Sequence, residues 1–350
     1  MDFIDMLISQ DTTIIKAMEK LDETAKKILL VESNGKLVGT VTDGDIRRWI
    51  LKKGDLNNSV VKVMKTNPIT LHEFQSDQAQ SIMKQKKIGA IPIVDKNNLI
   101  QSVIFWNDVG KDEKKQKVNI PVVIMAGGKG TRLYPYTKIL PKPLIPIGDI
   151  PIIERIINNF AEFGSNDFFL TVNHKKGMIK SYFNELNRDY NIQYVEEDKP
   201  LGTGGSLSLL VGIISETFFV SNCDVLIEAD YVDILDFHNK QKNKMTIVAS
   251  LRETVIPYGV IELGDNGAMK KSVEKPTYSH LINTGMYVIE PDLLDIIPKN
   301  TFYDLPTLAE KCINGGAKVG VYPVGQKSWL DMGQLEEMDN MLRQLGIKEA

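Results

Sequence analysis

The stretch IPVVIMAGGKGTRLYPYTKILPKPLIPIGDIPII, residues 120–153, decides the fold of the larger part of this chain. The apolar strand at its start runs into a turn of three glycines, Gly127, Gly128 and Gly130. Glycine has no Cβ and tolerates positive φ, so backbone N–H groups can approach an anion closely. Five prolines follow, and proline breaks a regular helix. We predict a phosphate-gripping loop that wraps as an extended segment over 135–146.

The loop does not match the two familiar phosphate-binding patterns. A Walker loop ends in Gly-Lys-Ser/Thr, and a dinucleotide fingerprint runs from G-x-G-x-x-G directly into a helix. AGGKGTRLYP, residues 126–135, matches neither. The loop instead places three cationic side chains near the glycines, namely Lys129, Arg132 and Lys142. This concentration of positive charge favours a triphosphate as the ligand.

Strand-like and helical patterns alternate beyond the loop. The helical run PIIERIINNFAEFG at 151–164 lies between the strands VVIM at 122–125 and FFLTV at 168–172. Such alternation indicates crossover units and a sheet covered by helices. We therefore predict an α/β domain with a mixed, mostly parallel sheet over 120–350.

The first third of the chain contains an internal repeat. Residues 30–46 (LVESNGKLVGTVTDGDI) and 93–109 (IVDKNNLIQSVIFWNDV) each predict a strand, an Asn-containing turn, a second strand and a helix-capping Asp. Units this small can share one core. We divide the chain into a first repeat (1–57), a second repeat (58–112), a charged linker (113–119) and the α/β domain (120–350).

The repeated β-α-β-β-α pattern resembles a CBS-domain pair, an α+β arrangement, over residues 1–112. The motif GTVTDGDI, residues 39–46, carries this resemblance. The resemblance implies that Thr42 and Asp45 hold the ribose and phosphate of an adenine nucleotide. In the second copy Phe105 replaces the threonine while Asp108 remains. The alternative is that the aspartates only cap helices and that the pair assembles subunits. We expect a homo-oligomer.

Seven motifs in order resemble the sugar-1-phosphate nucleotidyltransferases, or NDP-sugar pyrophosphorylases, which have a Rossmann-like sheet. They are the loop GGKGTRLYPYTKILPKPLIPI, PLGTGGSL (200–207), SNCD (221–224), PYGVIE (257–262), EKP (274–276), NTGMY (283–287) and WLDMG (329–333). The resemblance implies that a sugar 1-phosphate attacks the α-phosphorus of a nucleoside triphosphate and expels pyrophosphate. The attacking phosphate is ionised at neutral pH, since its second pKa is about 6, so no general base is required.

The resemblance also implies a role for individual residues. The catalytic residues it implies are Arg132 on the triphosphate, Lys142 and Lys275 on the sugar phosphate, and Asp224. Asp224 and Asp331 match the magnesium ligands, and carboxylates suit this hard ion. The remaining implied nucleotide contacts are Ala126, Gly127, Gly128, Gly130, Thr131, Gly202 and Thr203. The implied sugar contacts are Gly259, Glu274 and Asn283.

Glu197 bears on the choice of base. It lies five residues before Gly202, where relatives that use UTP or dTTP have a glutamine. Guanine presents adjacent N–H donors at N1 and N2, and a carboxylate can accept both. We predict GTP. A carboxylate also accepts from the cytosine amino group, so CTP stays open, and Glu196 and Glu197 can alternatively be exposed charges.

The domain order bears on the choice of sugar. A CBS pair ahead of such a domain resembles the glucosamine-1-phosphate guanylyltransferases of bacterial legionaminic acid synthesis, which makes glucosamine 1-phosphate the expected sugar. Glu274 can meet either an amine or a hydroxyl. Mannose-1-phosphate and heptose-1-phosphate guanylyltransferases share most of the motifs and remain alternatives.

Composition and motifs argue against several other classes, of which an NDP-sugar glycosyltransferase and a nucleotide-sensing scaffold stay as remote alternatives. The 350 residues are 43% apolar and 25% charged with a net charge of -3, which gives no reason to expect nucleic acid or an anionic membrane as partner. No run is long and apolar enough for a membrane span and no signal peptide is seen, so we expect a cytoplasmic protein. Two cysteines, Cys223 and Cys312, form no disulfide framework.

A glycosyltransferase would favour Asp-x-Asp where this chain has NCDVL, and a nucleotide-sensing scaffold would not need the charged loop.

Overall fold

The computed structural model separates the chain into two compact units, Met1–Lys115 and Gln116–Ala350. The structure describes residues 3–24, 26–72, 78–86, 88–106 and 117–347. The predicted cap Asp108 and most of the predicted linker lie outside these ranges. Within them, no helix is long and apolar enough to cross a membrane.

The first unit has α+β structure. Its strands are β1 (Leu7–Ser9), β2 (Ile28–Ser33), β3 (Lys36–Thr42), β4 (Ala90–Val94) and β5 (Ile100–Phe105). Its described helices are α1 (Ile14–Thr24), α2 (Asp43–Leu51) and α3 (Ala79–Lys86). β2 pairs with β3, and β4 with β5, both antiparallel, while β1 joins β2 in parallel. The strand-turn-strand unit thus occurs twice, as the repeat predicts.

A capping box starts α2 at the predicted adenine-nucleotide residues. The Thr42 hydroxyl accepts the Asp45 N–H at 3.3 Å, and the Asp45 carboxylate accepts the Thr42 N–H at 2.9 Å. The same carboxylate accepts the Thr42 hydroxyl and pairs with Arg48. Both side chains are therefore used in the helix start, which is the alternative role considered above. Nucleotide binding by Thr42 and Asp45 stays a prediction.

The second unit holds the larger sheet. Its strands are β6 (Val122–Met125), β7 (Pro146–Ile147), β8 (Ile150–Pro151), β9 (Asp167–Val172), β10 (Asn191–Glu196), β11 (Phe218–Asn222), β12 (Val225–Ile227), β13 (Met245–Val255), β14 (Val260–Leu263), β15 (Met269–Val273), β16 (Thr277–Ile289), β17 (Val319–Val324) and β18 (Trp329–Asp331). Its helices are α4 (Ile152–Glu162), α5 (Lys176–Glu185), α6 (Gly202–Gly205), α7 (Tyr231–Gln241), α8 (Leu305–Asn314) and α9 (Leu335–Gln344).

Seven strands form the central sheet in the order β10-β9-β6-β11-β16-β13-β17. Neighbours are parallel except that β16 runs antiparallel to both β11 and β13. This confirms the predicted mixed, mostly parallel α/β sheet. Alternate residues of β6 enter different core clusters, with Val122 and Ile124 on one face and Val123 and Met125 on the other. Both faces of the strand are covered, which explains its continuous apolar sequence.

The amphipathic pattern of α4 fixes how this helix covers the sheet. Its buried residues recur at spacings of three and four and are Ile152, Ile153, Ile156, Ile157 and Phe160. All of them join the core cluster that contains Val122 and Ile124. Burying an aliphatic or phenylalanine side chain contributes roughly 1.5–3 kcal/mol. The helix is therefore held by one apolar face, and the loop between β6 and α4 is fixed at both ends.

The strand register places two loops at the same end of the sheet, where β6 and β11 finish. β6 and β11 are parallel neighbours, and Met125 at the end of one pairs with Asn222 at the end of the other. The carboxyl ends of adjacent parallel strands form the usual ligand crevice of such sheets. The loop after Met125 and the turn after Asn222 therefore emerge side by side.

Candidate active site

The signature loop folds into three short 3-10 turns. They span Thr131–Leu133, Tyr136–Lys138 and Lys142–Leu144. All residues of this segment are described, and no α-helix forms in it, but it is not the extended segment that was predicted. The reason is that N–H groups between the prolines remain free to close i to i+3 turns. The prolines prevent a long helix without preventing single turns.

Gly130 is required at the first of these turns. Its φ is +64°, and a Cβ added there would lie 2.9 Å from Lys142 Cβ and 3.0 Å from Thr137 Cγ2. Any larger residue would therefore be strained and would also push Lys142 away. The Thr137 hydroxyl donates to the Gly130 carbonyl at 2.9 Å. The glycine turn and the base of the Lys142 side chain are thus packed directly together.

Two aspartates and one lysine converge beside the loop. Asp224 follows β11, and Asp331 ends β18, whose ladder with β12 pairs Val225 with Asp331. The Met332 N–H donates to the Asp224 carbonyl at 2.9 Å. The Lys142 ammonium forms an ion pair with the Asp224 carboxylate, and these two side chains are only 12% and 13% exposed. The structure therefore brings together three residues that are 82 or more positions apart in sequence.

The residues that shift the pKa of Asp331 include the two that converge with it beside the loop. Burial raises the pKa of Asp331, and the nearby negative charge of Asp224 raises it further. Lys142, the Gly333 N–H and Arg132 oppose that increase in pKa. Arg132 also lines a cavity of about 480 Å³ together with residues at the start of α9. All four predicted groups therefore act on one small region.

The carboxylate pair fits a hard divalent cation. Asp224 and Asp331 are partly buried, and Lys142 supplies one positive charge against these two carboxylates. Like charges at a partly buried site are costly unless cations offset them. No group of three or more His, Cys, Asp or Glu side chains suited to a metal occurs in the described part of the chain. A cation held by Asp224 and Asp331 would take its other ligands from water or phosphate, which is typical of Mg²⁺.

Glu197 lies buried behind the glycine loop. It is 6% exposed, and its Oε2 accepts the Leu201 N–H at 3.1 Å. A Cβ on Gly127 would lie 2.7 Å from its Oε1. Burial raises the pKa of Glu197, while the Leu201 N–H and the Thr171 hydroxyl act in the opposite direction. The exposed-charge alternative is therefore wrong for Glu197 and describes only Glu196, which pairs with two surface lysines.

Gly202 and Thr203 form a turn that packs on the segment before α8. Gly202 has φ +77°, and a Cβ there would lie 2.7 Å from the Tyr303 carbonyl oxygen. The Thr203 hydroxyl accepts the Leu305 N–H at 3.2 Å. Asp304 lies at the same point, 3.5 Å from the Thr203 hydroxyl. The Asp304 side chain makes no capping hydrogen bond, although an aspartate directly before a helix usually indicates an N-cap.

The predicted sugar residues lie on the exposed ends of β13 and β16 and on the β14–β15 pair between them, residues 252–283, which we call the arm. Glu274 Oε2 is 2.9 Å from the position of a Cβ on Gly259, so these two residues are in contact. Asn283 lies in β16, where it donates to the Tyr287 hydroxyl at 2.7 Å and accepts the Gly285 N–H at 3.0 Å.

Lys275 follows Glu274 at a left-handed backbone position, with φ +45°. Its N–H donates to the Tyr258 carbonyl at 3.3 Å. Among the contacts of the described residues, none joins the Lys275 side chain to Lys142 or to the aspartate pair. The structure thus gathers the loop residues closely and leaves Lys275 on the arm.

Comparison with known proteins matches the second unit and the first of the two repeats. The family described as Nucleotidyl transferase matches residues 121–345, and the CBS domain family matches residues 5–52. "Mannose-1-phosphate guanyltransferase 2" of Candida glabrata is 34% identical over 223 residues, covering 61% of this chain and 61% of that protein. "Mannose-1-phosphate guanyltransferase" of Saccharomyces cerevisiae is 34% identical over 198 residues, covering 54% of each chain. The chain thus spans less than two thirds of the length of these curated relatives.

A solved structure shares the fold. HddC from Yersinia pseudotuberculosis has a TM-score of 0.51 at 22% sequence identity, and the match covers 65% of this chain and 99% of that one. At this identity the likeness concerns the fold of the second unit. It agrees with the mixed sheet described above.

Proposed function

The chain belongs to the nucleotidyl transferase family, and on that basis we propose that it transfers GMP from GTP to a sugar 1-phosphate and releases pyrophosphate. One observation carries the proposal, which is the convergence of Lys142, Asp224 and Asp331 at the glycine loop. Transfer between two phosphates needs charge neutralisation and in-line alignment more than acid-base chemistry. These three side chains and Arg132 supply that kind of environment.

Each of the residues that converge at the loop has a distinct part in this proposal. Arg132 lies beside the cavity at the loop and holds the triphosphate by its planar fork. Lys142, anchored by its contact with Gly130, presents an ammonium to the sugar phosphate. Asp224 and Asp331 would hold Mg²⁺, which would neutralise phosphate charge when bound. Burial and, after it, the nearby charge of Asp224 raise the pKa of Asp331, which supports a cation at this point.

The environment of Glu197 supports GTP. Its Oε1 faces the glycine loop at Gly127, while its Oε2 is fixed by the Leu201 N–H. A carboxylate fixed at the base of the loop can accept from N1 and N2 of guanine. The names of the curated relatives, which are guanyltransferases, point the same way. UTP, dTTP and CTP are the alternatives to test.

Mannose 1-phosphate is the sugar substrate that the relatives favour. The domain order led us to expect glucosamine 1-phosphate and a role in legionaminic acid synthesis, but no comparison supports that choice, and the curated relatives carry mannose 1-phosphate in their names. We therefore place mannose 1-phosphate first and keep glucosamine and heptose 1-phosphates as alternatives. Glu274 and Asn283 are the proposed contacts to the sugar hydroxyls.

The deciding experiment is pyrophosphate release with Mg²⁺, five nucleoside triphosphates and a panel of sugar 1-phosphates. We expect GTP with mannose 1-phosphate to give the highest kcat/KM. Asp224→Asn should abolish turnover with the fold retained by circular dichroism, whereas Asp236→Asn, at an exposed helix position paired with Lys240, should be near wild type. Release with no pair would favour the nucleotide-binding scaffold, and equal rates with UTP and GTP would contradict the base assignment.

The first unit is proposed to bind an adenine nucleotide. The support is the resemblance around Thr42 and Asp45 and the match to the CBS domain family. Asp45→Ala should weaken binding of AMP or ATP in calorimetry with the full chain. It should also destabilise α2, since loss of an N-terminal cap costs roughly 0.5–2 kcal/mol. No heat from either the wild type or the variant would leave the unit with a structural role.

A further inference from the structure

Lys175 makes an unusual set of contacts with the signature loop. It lies in the turn between β9 and α5, in the left-handed region with φ +53°. Its ammonium donates three hydrogen bonds to consecutive carbonyls, those of Thr137 at 3.0 Å, Lys138 at 2.8 Å and Ile139 at 2.9 Å. All three donors of one lysine are therefore used on one turn of the loop.

The chemistry of that turn explains why a lysine is suited to it. Thr137, Lys138 and Ile139 lie at the end of the 3-10 turn Tyr136–Lys138, where carbonyls have no partner further along the helix. The carbonyl end of a turn carries partial negative charge and attracts a cation. The next lysine, Lys176, behaves differently, because it points to Glu196 at the surface at 2.5 Å. Adjacent lysines thus serve two separate purposes.

The anchored turn is linked to the reactive groups by direct contacts. Thr137 is buried, and its hydroxyl donates to the Gly130 carbonyl at 2.9 Å. Gly130 in turn packs against Lys142 Cβ, 2.9 Å from where its own Cβ would be. Arg132 belongs to the 3-10 turn that begins directly after Gly130. A displacement of the 137–139 carbonyls would therefore move Lys142 and Arg132 through two contacts.

We propose that Lys175 is a positioning residue for the transfer reaction. Its ammonium donors are used on the loop carbonyls, so we assign it no contact with a reactant, and it holds the signature loop in the conformation that presents Arg132 and Lys142. The inference rests on the proposed function for its kinetic consequence. Its structural consequence, order in the loop, depends only on the hydrogen bonds described above.

The test compares Lys175→Met with Lys175→Arg and with Lys176→Met, a neighbouring lysine outside this network. Hydrogen–deuterium exchange of the substrate-free full chain follows the Ile139 and Leu140 amides, which donate to the Tyr136 carbonyl. In Lys175→Met we expect exchange there to accelerate, and the KM for GTP to rise, by about tenfold each, because hydrogen bonds from a charged donor are lost.

Lys175→Arg should give intermediate values, since the planar guanidinium cannot direct its donors at three converging carbonyls as an ammonium does. Lys176→Met should stay within about twofold of wild type in both measurements, as expected for an exposed ion pair. Unchanged exchange in Lys175→Met would overturn the inference, and so would faster exchange with an unchanged KM. Because exchange needs no substrate, a wild type without transferase activity would refute the proposed function and leave the exchange result to decide the role of Lys175.

Discussion

Adding a methyl group at Gly127 should destabilise the protein, whereas adding one at Gly128 should not. At Gly127 the new Cβ would lie 2.7 Å from Glu197 Oε1 and 3.3 Å from its Cδ. At Gly128 no atom lies within 4 Å. Neither glycine has a positive φ, so alanine meets no special backbone strain at either position. The two adjacent substitutions therefore differ almost entirely in whether the added methyl group collides with Glu197.

The magnitude follows from what Glu197 must do to make room. Its carboxylate is buried and fixed by the Leu201 N–H at 3.1 Å, so moving it weakens a hydrogen bond to a charged group, which costs roughly 1.5–3 kcal/mol. Replacing glycine by alanine returns about 0.4–1 kcal/mol by restricting the unfolded chain. Gly127→Ala should therefore lose about 1–2 kcal/mol net. Gly128→Ala should gain up to about 1 kcal/mol.

Scanning calorimetry of the ligand-free protein measures this difference. For a domain of this size the Tm changes by roughly 2–4 °C for each kcal/mol, so the Tm should fall in Gly127→Ala and stay level or rise in Gly128→Ala. In a Glu197→Ala background the obstruction is gone, and the added methyl at position 127 should no longer destabilise. Equal Tm values for the two alanine variants would refute the reasoning.

Three further perturbations test the site and the core. Asp331→Asn should lower kcat by about a thousandfold, as removal of a charge-stabilising group does, and a steady-state rate within tenfold of wild type would remove Asp331 from the metal pair. Glu197→Gln should reduce the preference for GTP over UTP by at least about tenfold, the value of one charged hydrogen bond, and an unchanged ratio of kcat/KM values would show that Glu197 does not contact the base. Burial lowers the pKa of His238, so the unfolded state binds the proton more readily, and unfolding free energy should fall as the pH drops through about 6.5, the pKa in the unfolded chain. Urea titrations from pH 8 to 5 should show a smaller decline in His238→Gln, and parallel declines would contradict this.

The parts of the fold that depend on local pattern could be predicted from sequence. Strand β6, helix α4 and the mixed sheet follow from apolar runs and from spacings of three and four. Asp224 and Asp331 could be paired before the structure was known, because both belong to ordered motifs of one resemblance. Their mutual distance depends on the β12–β18 ladder, which local pattern does not encode.

Features that depend on tertiary contacts could not be predicted. Glu197 follows directly after the exposed Glu196, and the two carboxylates differ in their tertiary contacts. Glu197 packs against Gly127 and accepts the Leu201 N–H, whereas Glu196 pairs with two surface lysines. The role of Lys175 depends on carbonyls 36 to 38 positions earlier in the chain. The 3-10 turns escaped prediction for a related reason, since prolines specify where a helix stops but not how the intervening residues close.

The continuity of β16 constrains how the arm that carries Glu274 can move. The first seven residues of this strand are exposed and the last six are buried in the sheet. Asn283 stands where the strand enters the core, opposite the irregularity between Val248 and Ala249 of β13. Arm and sheet therefore share one continuous strand, and any displacement of the arm relative to the sheet would have to bend β16 near this level. In such a displacement Asn283 would stay almost fixed against the sheet, while Glu274, which precedes the exposed end of β16, would move further.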